Sequence, residues 1–254
     1  MATSRKKPGR DEIVEATMAL AADRPWDDIE LGDIAEAAEI TLADLREHFP
    51  SKGAVLGGFA RKIDMTVLTG SSDDLIGEPA RERLFDVYMR YIDALTPYKP
   101  ALRRIAYAVR REPLTIAALN QVALNSHRYM LAAAHIPTED ALGPIKLQGS
   151  VLTMARTLET WLDDDDPDLA RTMARLDREL GRAERFMERA ADVHRMTAPF
   201  RAIGQAIMES GARMRRRRHE SDTGDQGDEN AGFDKNIDTD IDRPGEDRDP
   251  AAAI

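Results

Sequence analysis

The 254-residue chain has no cysteine, so disulfides, thiolate metal sites and a cysteine nucleophile are excluded together. It has no apolar run approaching the roughly 20 residues that span a bilayer, and its opening, MATSRKKPGR, lacks the apolar segment of a signal peptide. A cytoplasmic protein with no membrane span is the expectation. Glycine-rich phosphate loops, a GxSxG elbow and an HExxH pair are also missing, so no catalytic residue and no cofactor is assigned. His127, His135 and His194 show no metal-ligand spacing among themselves, and no metal site is assigned.

Positive charge is scarce overall, at a net −10, but its distribution matters more than its sum. Residues 221–254 carry 11 acids against 3 bases and almost no large apolar groups. Such a segment cannot repay the entropy of ordering, so 216–254 reads as a disordered acidic tail. Just before residue 221, where the acidic stretch starts, Arg213 and Arg215 to Arg218 form a basic run. That run suits nucleic acid or an anionic membrane, or equally a solvated helix end whose cations complement the helix dipole.

What is abundant is helical periodicity, without the alternation of strands, and the fold class is all-α. A first helix is predicted over 11–22, with Ile13, Ala16, Thr17 and Leu20 on one face; Pro25 breaks it. A short second helix covers 31–38, and a turn at Glu39 and Ile40 follows. Thr41 is placed to cap a third helix, with Asp44 in its first turn. Pro50 ends that helix, Ser51 caps a fourth, and Val55, Leu56, Phe59 and Ile63 give it an apolar face. Four helices in so short a span, with a tight turn between the second and third, make a helix-turn-helix unit.

The run DIAEAAEITLADLREHFPSKGAVL resembles the signature of TetR-type transcriptional regulators, the matched part covering about residues 11–63. Ile40, Leu45 and Phe49 match core positions, Thr41 the capping residue, and His48 and Lys52 the polar positions that touch phosphates in that family. Glu39 stands in place of the usual turn glycine, Leu42 where a base or small polar residue is common, and Arg46 in place of a backbone-contacting tyrosine. Residues 11–63 hold 12 acids against 5 bases, which opposes a polyanion.

The resemblance implies a homodimeric one-component regulator, a repressor, that binds double-stranded operator DNA and responds to a small apolar effector. On this reading 1–10 is a basic arm, 11–63 the DNA-binding domain and 64–215 a helical domain for ligand binding and dimerisation. Leu42, Ala43, Arg46 and Glu47 face a groove, and Arg5, Lys6, Lys7 and Arg10 supply attraction from the arm. A rival likeness exists: TWLDDDDPDLARTMARLDREL resembles the Trp- and Asp-rich ending of ubiquinone-biosynthesis accessory proteins, which implies a TetR-fold lipid-binding or interaction module without DNA binding.

Beyond the polar break TGSSDDLIGEPA, helices are predicted over 80–96, 99–111, 113–134, 141–163, 167–193 and 197–214. Four aspartates at 163–166 concentrate hard oxygen ligands but lack EF-hand spacing; Asp166 capping a helix that begins at Pro167 explains them without a metal. Leu169, Met173, Leu176, Leu180, Ala183, Met187 and Ala190 repeat at steps of three and four, as do Val151, Met154, Leu158 and Trp161. These seams pair within the chain or across a dimer, and the interface assigned is Val151, Leu158, Trp161, Met173, Leu176, Leu180 and Met187. Tyr88, Tyr91, Tyr107, Tyr129, Met130 and Met154 are the candidates for an apolar effector cavity, or for ordinary core.

Overall fold

The computed structural model describes residues 8–70, 75–190 and 192. The chain divides into two units, Met1–Met196 and Thr197–Ile254, and every described residue belongs to the first. Arg5, Lys6, Lys7, His194, the helix expected at 197–214, the arginine run and the acidic tail lie outside the described residues.

Among the described residues the regular structure is helical, with no strand. The helices are α1 (Arg10–Asp23), α2 (Leu31–Ala37), α3 (Leu42–His48), α4 (Lys52–Leu68), α5 (Ala80–Leu95), α6 (Lys99–Val109), α7 (Pro113–Ala133) and α8 (Gly143–Leu162). A further helix, α9, covers 170–190. α1 packs on α4 and α6, α4 on α5 and α7, and α7 on α8, so a continuous core runs from the first helices into the later ones.

Short helices cannot persist on their own hydrogen bonds, so α2 and α3 depend on caps and on a buried face. In α2, the Glu30 N–H donates to Asp33 Oδ2 at 2.7 Å, and Arg24 pairs with the same carboxylate at 3.1 Å. In α3, the Thr41 hydroxyl accepts from the Asp44 N–H at 3.1 Å while the Thr41 N–H donates to Asp44 Oδ2 at 3.2 Å, a reciprocal capping box. Leu45 and Phe49 bury the inner side of this segment, and Ile40 packs against the same core.

The turn between α2 and α3 is closed by Glu39 at φ 55°, the left-handed region. The Ile40 N–H then reaches back to the Ala35 carbonyl at 2.9 Å, a helix-ending pattern that glycine adopts most easily. On the other side, Phe49 lies so close to α4 that a β-carbon on Gly58 would stand 2.7 Å from Phe49 Cε1. Gly58 therefore sets how near the third helix comes to the fourth.

The last helix begins at 170 rather than at Pro167, which corrects the expected cap. Asp166 Oδ1 accepts the Asp168 N–H at 3.0 Å in a turn, which Leu169 closes at φ 50°. The cap comes from buried Asp164, whose Oδ2 accepts the Thr172 hydroxyl at 2.6 Å and the Thr172 N–H at 2.9 Å. Those bonds from Thr172 hold the carboxyl below the usual aspartate range. Among the described residues no group of three or more His, Cys, Asp or Glu stands together as a metal site.

Candidate DNA-binding face and effector cleft

The outer side of α3 presents Leu42, 57% exposed, with Ala43, Arg46 and Glu47, all open to solvent. Around it, Thr41, Arg10 and Lys52 are already committed within the chain. The Thr41 hydroxyl donates to Asp44 Oδ2 at 2.7 Å, which ties it to the cap. Arg10 lays its guanidinium over the Phe49 ring, 4.3 Å from the centroid, and donates to the His48 carbonyl at 2.6 Å. Lys52 donates from Nζ to the Trp26 and Ile29 carbonyls, each at 2.8 Å, and sits 4.7 Å from the Trp26 ring centroid. These two cations pin the helix-turn-helix unit together: Arg10 closes the end of α3, and Lys52 ties α4 to the α1–α2 connection.

Farther along the chain, a cleft of about 900 Å³ opens between α5, α8 and α9, walled by Leu84, Leu131, Ile136 and Leu180. Tyr88 and Ser150 line it and meet each other in a hydrogen bond. His127 completes the cluster: its Nδ1 lies 3.0 Å from the Tyr88 hydroxyl and 2.7 Å from Ser150 Oγ. Burial lowers the pKa of this imidazole to about 4, so it is neutral at physiological pH, and burial likewise raises that of the Tyr88 phenol. At the α9 side, buried Glu179 receives Arg156 at 3.1 Å, Arg175 at 3.4 Å and Arg182 at 2.5 Å. Burial alone would raise its pKa; the three arginines more than offset that and lower it.

Two solved structures are similar to this chain in fold. One is a TetR transcriptional regulator from Nitrosomonas europaea ATCC 19718, 21% identical, with a TM-score of 0.56 over 70% of this chain and 98% of that one. The other is a TetR transcriptional regulator from Rhodococcus sp. RHA1, 15% identical, with a TM-score of 0.50 over 68% and 94% of the respective chains. The chain has the TetR-type fold. No protein-family model matches the chain, and no curated protein matches it.

Within this TetR-type fold, the expected site residues separate into those that reach a surface and those that do not. Tyr88 lines the cleft, but Tyr107 and Tyr129 are 63% and 59% exposed and point away from it. Each sits off the buried row of its helix, which is Ala101, Ile105 and Ala108 on α6 and Ser126, His127 and Met130 on α7. Met130 and Met154 are core residues, and Tyr91 is half-buried beside them. Of the expected interface, Val151, Trp161, Leu176 and Leu180 are buried within the single chain and offer no surface to a second copy. Leu158 and Met187 are half-buried, and Met173 is exposed. The apolar seams of α8 and α9 are spent mainly on packing within their own chain.

The polar floor of the cleft escaped sequence reading. Its signal was Ser150 standing in the same buried row as Leu147 and Met154, and His127 standing beside Met130. A hydroxyl and an imidazole among apolar neighbours must find partners there.

Proposed function

We propose that the protein is a transcriptional regulator that binds operator DNA as a homodimer and releases or engages it when a small molecule enters the cleft. The observation that carries this reading is the outward face of α3, where Leu42, Ala43, Arg46 and Glu47 stand clear of the core on a capped helix of a helix-turn-helix unit. Leu42 and Ala43 suit thymine methyl groups, and Arg46 suits guanine or a phosphate. The arm of Arg5, Lys6 and Lys7 supplies charge that the acidic unit lacks. Dimerisation through α8 and α9 is supported by the apolar Leu158 and Met173 left half-buried or exposed on them. Two recognition helices in successive major grooves stand about 34–36 Å apart, so a modest rotation of one subunit misaligns them. A ligand drives this motion if it binds the two arrangements with different affinity.

A second reading, a lipid-binding module of TetR-type fold without DNA binding, is favoured by one observation: Lys52 and Arg10, two of the cations available for phosphates, are occupied by backbone carbonyls and rings. Retention of pooled genomic fragments on the full chain at low and moderate salt separates the two. Sequence-selective retention supports the regulator. Its absence at both salts overturns that reading, and an isoprenoid or phospholipid carried through purification would then favour the module.

A further inference from the structure

The cleft does not have a uniformly apolar lining. Arg81 on α5 and Arg185 on α9 both line it, and their guanidinium groups converge on the same glycine. The point where a β-carbon on Gly181 would stand lies 3.6 Å from Arg81 Nη2 and 3.5 Å from Arg185 Nη1. Two cations drawn this close repel each other unless an anion lies between or beside them.

Arg81 has partial compensation: Nη2 donates to Asp177 Oδ1 at 2.6 Å and to the Asp177 carbonyl at 3.4 Å, and Nη1 lies 4.0 Å from Glu184. Its Nε is buried without a hydrogen-bond partner. A buried donor left unmade is costly, more so on a charged group, and here it belongs to a residue of the cleft wall. Of the other arginines that line the cleft, Arg156 and Arg182 are engaged by Glu179, and Arg189 adds a further cation; Glu184 and Glu188 line it as well. Arg81 and Arg185 are the pair that meets at one point of the cleft, and the aliphatic wall of Leu84, Leu131, Ile136 and Leu180 lies in the same cleft.

We propose that the cleft selects a small amphipathic carboxylate, its head held by Arg81 and Arg185 beside Gly181 and its apolar body along the aliphatic wall. This rests on reading the cleft as the effector site. A carboxylate matches the arginine fork with two parallel acceptors, and such charge-assisted bonds are about twice as strong as neutral ones. Tyr88, Ser150 and His127 satisfy one another and carry no charge, so they add a polar floor without competing for the head group.

The test is calorimetric titration of the full chain with sodium dodecanoate, dodecanol and dodecylamine, the two ionic amphiphiles below their micellar concentrations and the alcohol below its solubility limit. Dodecanoate is expected to bind at least about tenfold more tightly than dodecanol, and Arg185→Gln is expected to erase that margin while leaving dodecanol binding and the melting curve unchanged. Arg81→Gln serves as a second variant, read together with its melting curve because Arg81 also holds Asp177. Equal binding of acid and alcohol overturns the carboxylate proposal and leaves the effector cleft standing. Tightest binding by the amine overturns the proposal and points to the glutamates of the wall instead. Failure of all three to bind overturns both the proposal and the reading of the cleft as an effector site for apolar molecules.

Discussion

Ser126 and His127 stand side by side on α7 and bond in two directions. Ser126 donates to Asp64 Oδ2 on α4 at 2.8 Å, whereas His127 meets Tyr88 and Ser150 at the floor of the cleft. α4 begins in the helix-turn-helix unit at Lys52 and continues to Leu68, so one turn of α7 touches both the helix that supports α3 and the place where a ligand would lie. Burial raises the pKa of the Asp64 carboxyl, and the Ser126 hydroxyl counters this only in part.

His127 gives the first prediction. Its folded pKa of about 4 lies below the ordinary histidine value of 6.5, so the unfolded chain binds more protons between those limits. Stability must then be fully present above pH 6.5 and fall as the pH drops towards 4. The share due to this residue is up to about 3 kcal/mol, from about 1.4 kcal/mol per pH unit. Denaturant unfolding of the protein and of His127→Gln across that range measures it: the two curves should converge as the pH falls. Parallel curves would mean that the imidazole is not held neutral.

Gly58 gives the second. A methyl group there would stand 2.7 Å from Phe49 Cε1 and 3.2 Å from Val14 Cγ2, inside contact distance on both sides. Gly58→Ala gains about 1 kcal/mol of helix propensity but must displace the Phe49 ring, and overpacking wins. The expected net loss is about 1–2 kcal/mol by chemical denaturation. Because Phe49 ends α3, operator affinity should fall further than stability alone explains.

The turn supplies the third. Glu39 at φ 55° carries a conformational cost that glycine avoids. Glu39→Gly should stabilise by up to about 1 kcal/mol, a rise of about 2–4 °C in melting temperature. Glu39→Ala removes the same charge without relieving the backbone and should give no such rise. If both variants rise equally, charge rather than conformation sets the cost.

The helix-turn-helix unit was legible in the sequence because its signals are local: Thr41 and Asp44 cap over three residues, Pro50 stops the helix, and Leu45 and Phe49 repeat at helical spacing. The boundaries of α5 to α8 were legible for the same reason, whereas the start of α9 at 170 was not. Direction was not. Tyr107 and Tyr88 are both tyrosines on apolar helices, yet one faces solvent and the other the cleft, and only packing between distant elements decides that. The convergence of Arg81 and Arg185 was equally hidden, since it depends on α5 and α9 meeting in space. Leu176 and Leu180 show the limit of periodicity: it finds a seam but does not say which surface covers it.

Arg46 and Lys52 give the last prediction, because the resemblance casts both as DNA contacts and the structure separates them. Lys52 gives two of its N–H groups to the Trp26 and Ile29 carbonyls and lies over the Trp26 ring, so it holds the α1–α2 connection against α4. Arg46 is exposed on the outer side of α3 beside Leu42 and Ala43. Lys52→Gln should therefore lower thermal stability, by about 1–3 kcal/mol for the loss of charged hydrogen bonds to buried carbonyls. Its effect on DNA should follow the folded fraction and leave the salt slope almost unchanged, because a lysine that neutralises no phosphate releases no counterion. Arg46→Ala should do the reverse: stability unchanged within about 0.5 kcal/mol, and operator binding weakened by about 1–3 kcal/mol per subunit with relaxed preference at the base it reads. Melting curves and salt-dependent binding of both variants to a selected fragment measure all four quantities. A salt slope that falls by about 0.9 per subunit in Lys52→Gln would show that Lys52 exchanges its carbonyl partners for a phosphate on binding, and would overturn its assignment as an internal tie.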